Sequence, residues 1–126
     1  MKKIVVILLS VLTTFTFANL AYTQRIVNNS VCTLQHLSSF ESADVTKHQA
    51  SPVIKPHSSG SVEVEVSLKS ILGDTYRVEC DGVSDAGDIE LSVDVAKRVI
   101  DVVTHSSEVD GTAPSRIGGD ITIYGK

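Results

Sequence analysis

Tryptophan is absent from this 126-residue chain, and two of its three phenylalanines, Phe15 and Phe17, fall within the first eighteen residues. Few rings are left for a sugar-stacking platform, which needs exposed aromatic faces. Cysteine occurs only at Cys32 and Cys80, and neither has a second cysteine at the short spacing of a zinc site. No G-x-S-x-G elbow or other nucleophile motif is present, and no cofactor motif rises above chance. Basic residues are in the minority, 11 Lys+Arg against 15 Asp+Glu, which argues against a nucleic-acid partner. Internal repeats and low-complexity tracts are also missing.

One apolar run is present, at the start. Lys2 and Lys3 precede the apolar stretch Ile4–Leu12, and small residues follow at Ala18 and Ala21. This is the pattern of a secretory signal peptide over residues 1–21, cleaved after Ala18 or Ala21, and its short two-lysine start is of bacterial type. Ser10, Thr13, Thr14 and Thr16 break the run before it reaches the length of a membrane span. Loss of Lys2 and Lys3 with the leader moves the net charge from -4 to -6. Residues 22–126 suffice for one domain with one hydrophobic core. In the periplasm or outside the cell, Cys32 and Cys80 are expected to form a disulfide.

The mature chain is written in period two. In "SVEVEVSLKS", Val62, Val64, Val66 and Leu68 share one face, with Glu63, Glu65, Ser67 and Lys69 on the other. "TYRVEC" places Tyr76, Val78 and Cys80 inward, and "DIELSVDV" does the same for Ile89, Leu91, Val93 and Val95. In "NSVCTLQHL", read as the first strand, Cys32 shares its parity with Leu34 and His36, so both cysteines take core-facing registers. Ile121 and Ile123 mark a last strand. Val95, Val99, Val102 and Val103 also fit a helical stripe, but β-branched residues dominate and helix caps are lacking, so Val99–Thr104 is read as a strand after a tight Ala96-Lys97-Arg98 connection. Leu72-Gly73-Asp74 and Asp81-Gly82 are read as turns. Residues 38–60 and 106–119 are read as polar loops, with only Val53-Ile54 a short strand and with Pro52 and Pro56 confining these pieces to edges or ends. The expected fold is all-β, a single antiparallel β-sandwich with one intramolecular disulfide.

The stretch "VIKPHSSGSVEVEV", residues 53–66, has a hydrophobic pair, a proline turn, small polar residues with glycine, and then a long alternating strand. It resembles bacterial immunoglobulin-like modules, although the tryptophan that packs on the bridge of antibody domains is missing. The resemblance implies a recognition or scaffold role.

Candidate chemistry is sparse. His57 or His105 with Asp110 and a serine would assemble a triad on paper, as in any serine-rich loop. The histidines His36, His48, His57 and His105 stand far apart in sequence. Asn28-Asn29-Ser30 matches a glycosylation acceptor. The least bland feature is acidic: seven carboxylates and one arginine between Asp74 and Asp94 concentrate a local charge of -6. Within it Asp81, Asp85 and Asp88 offer oxygen ligands, but without EF-hand spacing, and Gly82 and Gly87 are what a hairpin turn requires. These aspartates are weak metal candidates, and turn chemistry is the favoured reading. No cofactor is expected. The expected function is an exported, non-enzymatic binding module contacting a protein partner in the periplasm, at the cell surface or in a host. The alternative is a small secreted hydrolase or metal-dependent protein with a dispersed site.

Overall fold

The computed structural model describes residues 19–126, so residues 1–18 of the proposed leader lie outside the described part. Ten strands are present, with no helix among the described residues: β1 Leu20–Asn29, β2 Thr33–Glu41, β3 Lys47–Ala50, β4 Val53–Ile54, β5 Ser58–Val66, β6 Ile71–Glu79, β7 Asp88–Asp94, β8 Val99–His105, β9 Val109–Thr112 and β10 Ile121–Gly125. They form two five-stranded sheets, ordered β3-β5-β1-β10-β9 and β4-β2-β6-β7-β8. Both sheets feed one buried cluster, Ile26, Val62, Val64, Val66, Ile121 and Ile123 from the first and Leu34, Leu72, Tyr76, Val78, Ile89, Leu91 and Val93 from the second. The arrangement is sandwich-like.

The period-two pattern accounts for this core. Val62, Val64 and Val66 are buried while Glu63 and Glu65 are exposed, and Ile89, Leu91, Val93 and Val95 are buried in the same manner. Val99–His105 is a strand, entered through the tight turn in which the Arg98 amide donates to the Val95 carbonyl at 3.2 Å. β3 and β4 lie at sheet edges, where Pro52 between them removes no interior ladder bond.

Several expectations are corrected. One pairing is parallel, β1 with β10, placing Ile26 beside Ile121 and Asn28 beside Ile123. The two strands come from opposite ends of the domain and need no hairpin between them. "NSVCTLQHL" is not the first strand: β1 precedes it, and Ser30 to Cys32 form the bend into β2. The loop expected at 38–60 holds the rest of β2 together with β3 and the start of β5, and the loop at 106–119 holds β9. Short polar edge strands carry too few apolar residues to show a period. Leu68 is exposed because β5 ends at Val66 and the Ser67 amide donates to Ser70 Oγ, closing a turn. Leu72-Gly73-Asp74 lies inside β6, where the Phe40 ring rests so closely over Gly73 that a Cβ there would collide with it.

The disulfide Cys32–Cys80 is formed, with Cα atoms 4.5 Å apart. It joins the bend before β2 to the residue after β6, next to the Thr33–Glu79 pair, so it staples neighbouring strands of one sheet. A disulfide of this kind belongs to an oxidising, exported environment.

Candidate functional site

The chemistry-bearing side chains that the fold gathers lie around Asp74. Its parity in β6 is that of Tyr76 and Val78, so its carboxylate points between the sheets and is 5% exposed. From β2, His36 Nε2 lies 2.8 Å from Asp74 Oδ1, and Ser39 Oγ donates to the same oxygen at 2.6 Å. His48, inward on edge strand β3, brings Nε2 to 2.9 Å from Asp74 Oδ2 while its Nδ1 sits 3.1 Å from Glu41 Oε1. His48 thus bridges Asp74 and Glu41, with a carboxylate oxygen facing each ring nitrogen. A shift in the β2–β6 register between His36 and Ser38 is what lets both His36 and Ser39 face Asp74.

Two phenols border this charge. Tyr76 packs edge-on against His36, ring centroids 5.1 Å apart, and donates to the Ser51 carbonyl at 2.7 Å. Burial, and then the Asp74 charge, push the Tyr76 phenol well above its ordinary range. The same causes push Tyr22 up to about 12, and its hydroxyl is buried with no hydrogen-bond partner.

This grouping is not a nucleophilic relay. Ser39 Oγ, 3.0 Å from His36 Nε2, shares that one nitrogen with Asp74. A nitrogen that donates to the carboxylate has no lone pair left to take the serine proton, whereas a triad uses opposite ring nitrogens for the two partners. Nor does any group of three His, Cys, Asp or Glu among the described residues stand where it could hold a metal ion. The cluster is a hydrogen-bonded tie between the sheets.

The residues singled out from the sequence are dispersed. Asp81 and Asp85 are exposed in the β6–β7 connection, where Asp85 Oδ1 accepts from the Gly87 amide at 3.2 Å. Asp88 opens β7 opposite Arg77. Gly82 and Gly87 have φ of 78° and 92°, and a Cβ on Gly87 would strike the His105 carbonyl. His57 lies in the β4–β5 turn, His105 stands 3.6 Å from Glu90, and Asp110 accepts from Thr104 Oγ1 at 2.9 Å. No hydrogen bond among the described residues joins these three. Asn28 is fully buried, donating to the Cys32 carbonyl at 2.8 Å and accepting from Ser30 Oγ at 2.6 Å, so its amide is not open to a glycan in the folded chain. The Asp74 cluster was missed because Leu72-Gly73-Asp74 resembles a turn and His48 lies in a segment without period. The available signal was Asp74's shared parity with Tyr76, Val78 and Cys80.

The outer faces of the two sheets differ. On the first, charges of both signs are mixed: Lys47 lies opposite Glu65, and Arg25 reaches Asp120 at 3.7 Å. On the second, the outward register collects Glu79, Asp88, Glu90, Asp94 and Asp101 against Arg77 and His105. Phe40, Val53, Ile71, Val99 and Val103 of that face are all exposed, and a depression of about 290 Å³ runs beside Phe40, Thr75, Glu90 and Val103.

The fold and its contents define an all-β, disulfide-braced protein of two sheets. No known protein family matches the chain, and no curated protein matches it significantly.

Proposed function

We propose that the protein is an exported, non-enzymatic binding module whose contact surface is the outer face of the second sheet and whose partner is a protein with a basic, partly apolar surface. The observation that carries this is the exposed apolar set on that face, with Phe40, 55% exposed, laid flat over Gly73 amid unbalanced carboxylates. An exposed aromatic held on a rigid strand gives an anchor at low entropic cost, and surrounding charge of one sign selects a partner of the other. The immunoglobulin-like part of this reading extends to role alone, a two-sheet scaffold presenting a face, since the bridge here lies within one sheet. The hydrolase alternative loses its best candidate because Asp74 and Ser39 compete for a single nitrogen of His36.

The test immobilises the protein and presents extracts of periplasm, culture medium and host cells. A retained protein should bind more weakly as salt rises. It should be lost with Phe40→Asp or Glu90→Lys and kept with Thr23→Lys on the first sheet. Retention indifferent to the Phe40 and Glu90 variants, or no specific retention, overturns the proposal.

A further inference from the structure

A cavity of about 600 Å³ opens at the end of the sandwich opposite the acidic β6–β7 connection. The start of β1, the β5–β6 turn, the β7–β8 turn and the segment before β10 build it. Leu68, Val95 and Ile117 line it together with Arg98 and Arg116. Leu68, at the tip of the turn that follows β5, is 67% exposed and presents its side chain at this cavity. The size falls within the range of small-ligand pockets, roughly 300–1,000 Å³.

The electrostatics of this end run against the rest of the molecule. The chain is net negative, yet neither Arg98 nor Arg116 forms an ion pair among the described residues, where Arg25 and the histidines supply every pair. Lys69 and Lys97 sit in the same two turns. Of the carboxylates around these turns, Asp94 accepts from the Lys97 amide at 3.2 Å, Asp120 pairs with Arg25, and Asp44 accepts from the Ser42 and Ser67 hydroxyls, and none forms an ion pair with Arg98 or Arg116. Arg98 adopts a left-handed backbone, φ 55°, where a glycine would be more comfortable, so the turn keeps a guanidinium at some conformational cost.

We infer that this cavity binds a single-chain apolar carboxylate, its chain against Leu68, Val95 and Ile117 and its carboxylate on Arg98 and Arg116. Planar guanidinium groups match a carboxylate with two parallel hydrogen bonds, and the apolar walls gain by covering an acyl chain. The site is separate from the sheet face proposed for the protein partner.

Decanoate below its micelle concentration is the probe, followed by methyl resonances. It should shift Leu68, Val95 and Ile117 in a saturable manner and leave the Phe40 face unchanged. Decanol should bind at least about tenfold more weakly, and Arg98→Gln with Arg116→Gln should cost decanoate a similar factor. Leu68→Asp, at an exposed turn position, tests the apolar half should the double variant fail to fold, and is expected to abolish binding. Equal binding of decanol and decanoate, shifts elsewhere, or no saturation at millimolar decanoate overturns the inference. So does sedimentation with anionic phospholipid vesicles in the absence of decanoate binding, which would mark a membrane-facing charge patch.

Discussion

Where β6 turns into β7, the chain runs through Asp81, Asp85 and Asp88 beside the Cys32–Cys80 bridge; where β5 turns into β6 and β7 into β8, it runs through Leu68, Lys69, Lys97 and Arg98 with no covalent tie. Both ends are strand connections on the same two sheets. Their side chains are free of the core, so they diverge without cost to the fold. At the acidic end, glycines with positive φ and a carboxylate capping a backbone amide satisfy the connection's own backbone, and the disulfide fixes its first residue, Cys80, to the bend before β2. Each end opens a cavity, about 690 Å³ beside Glu79, Asp81 and Asp85 at the acidic end and about 600 Å³ at the basic one, where apolar walls stand with two arginines that form no ion pair among the described residues. The first end presents carboxylates, with Asp88 Oδ1 buried and without a hydrogen-bond partner among the described residues, whereas the second has the composition of a surface awaiting an anion.

Cutting the tie is the largest perturbation of that contrast. The bridge spans 48 residues, and in the chain-entropy account a closure of that length is worth about 4 kcal/mol. Replacing Cys32 and Cys80 together by serine should lower urea-unfolding stability by about that amount. Hydrogen exchange should quicken at residues 80–88 more than at 95–98. Equal quickening at both ends would mean that the bridge acts on the whole unfolded chain and does not specially restrain the acidic end.

Between the ends, Asp74 tests whether the contrast depends on a common interior. Asp74→Asn removes the charge that His36, His48 and Ser39 face, and breaking a buried ionic group from one side costs about 3 kcal/mol. Ser39→Ala, which deletes one donor, should cost about 1 kcal/mol. Both changes should leave the relative exchange at the two ends as it was. A loss under about 1 kcal/mol for Asp74→Asn would show that the cluster is not an ionic tie.

The interior was more legible than the edges, and for a physical reason. Strands half-buried on one face must alternate, so Val62 to Val66 and Ile89 to Val95 declare themselves, and the two inward cysteines declare the bridge. β3 and β9 are held as much by backbone ladders as by apolar burial, so "KHQA" and "VDGT" show no period. Asp74 was hidden for the opposite reason: an inward polar residue beside a glycine looks like a turn, and only its partners from β2 and β3, distant in sequence, make it affordable inside. The basic cavity draws on four separate segments, and nothing local marks any of them.

The smallest expected effect sharpens the comparison at the basic end. Tyr22 borders the cavity, and its hydroxyl is buried with no partner, so the group is desolvated without recompense. Tyr22→Phe should therefore be neutral or stabilising by up to about 1 kcal/mol at neutral pH, where Tyr76→Phe, losing its bond to the Ser51 carbonyl, should be destabilising by about that much. Alkali separates the two ideas further. The folded phenol of Tyr22 sits at about 12 against an ordinary 10.0, raised first by burial and then by the Asp74 charge. A proton held more tightly in the folded state contributes stability below the ordinary value, and that contribution is lost as pH rises through the folded one. The wild-type protein should thus lose urea resistance between pH 10 and 12, and Tyr22→Phe should flatten part of that fall, leaving the part due to Tyr76, which is shifted in the same direction. An unchanged alkaline slope in Tyr22→Phe, or a loss above about 1 kcal/mol at neutral pH, would mean that the hydroxyl has a partner after all, leaving Asp88 Oδ1 at the acidic end as the buried polar atom without one.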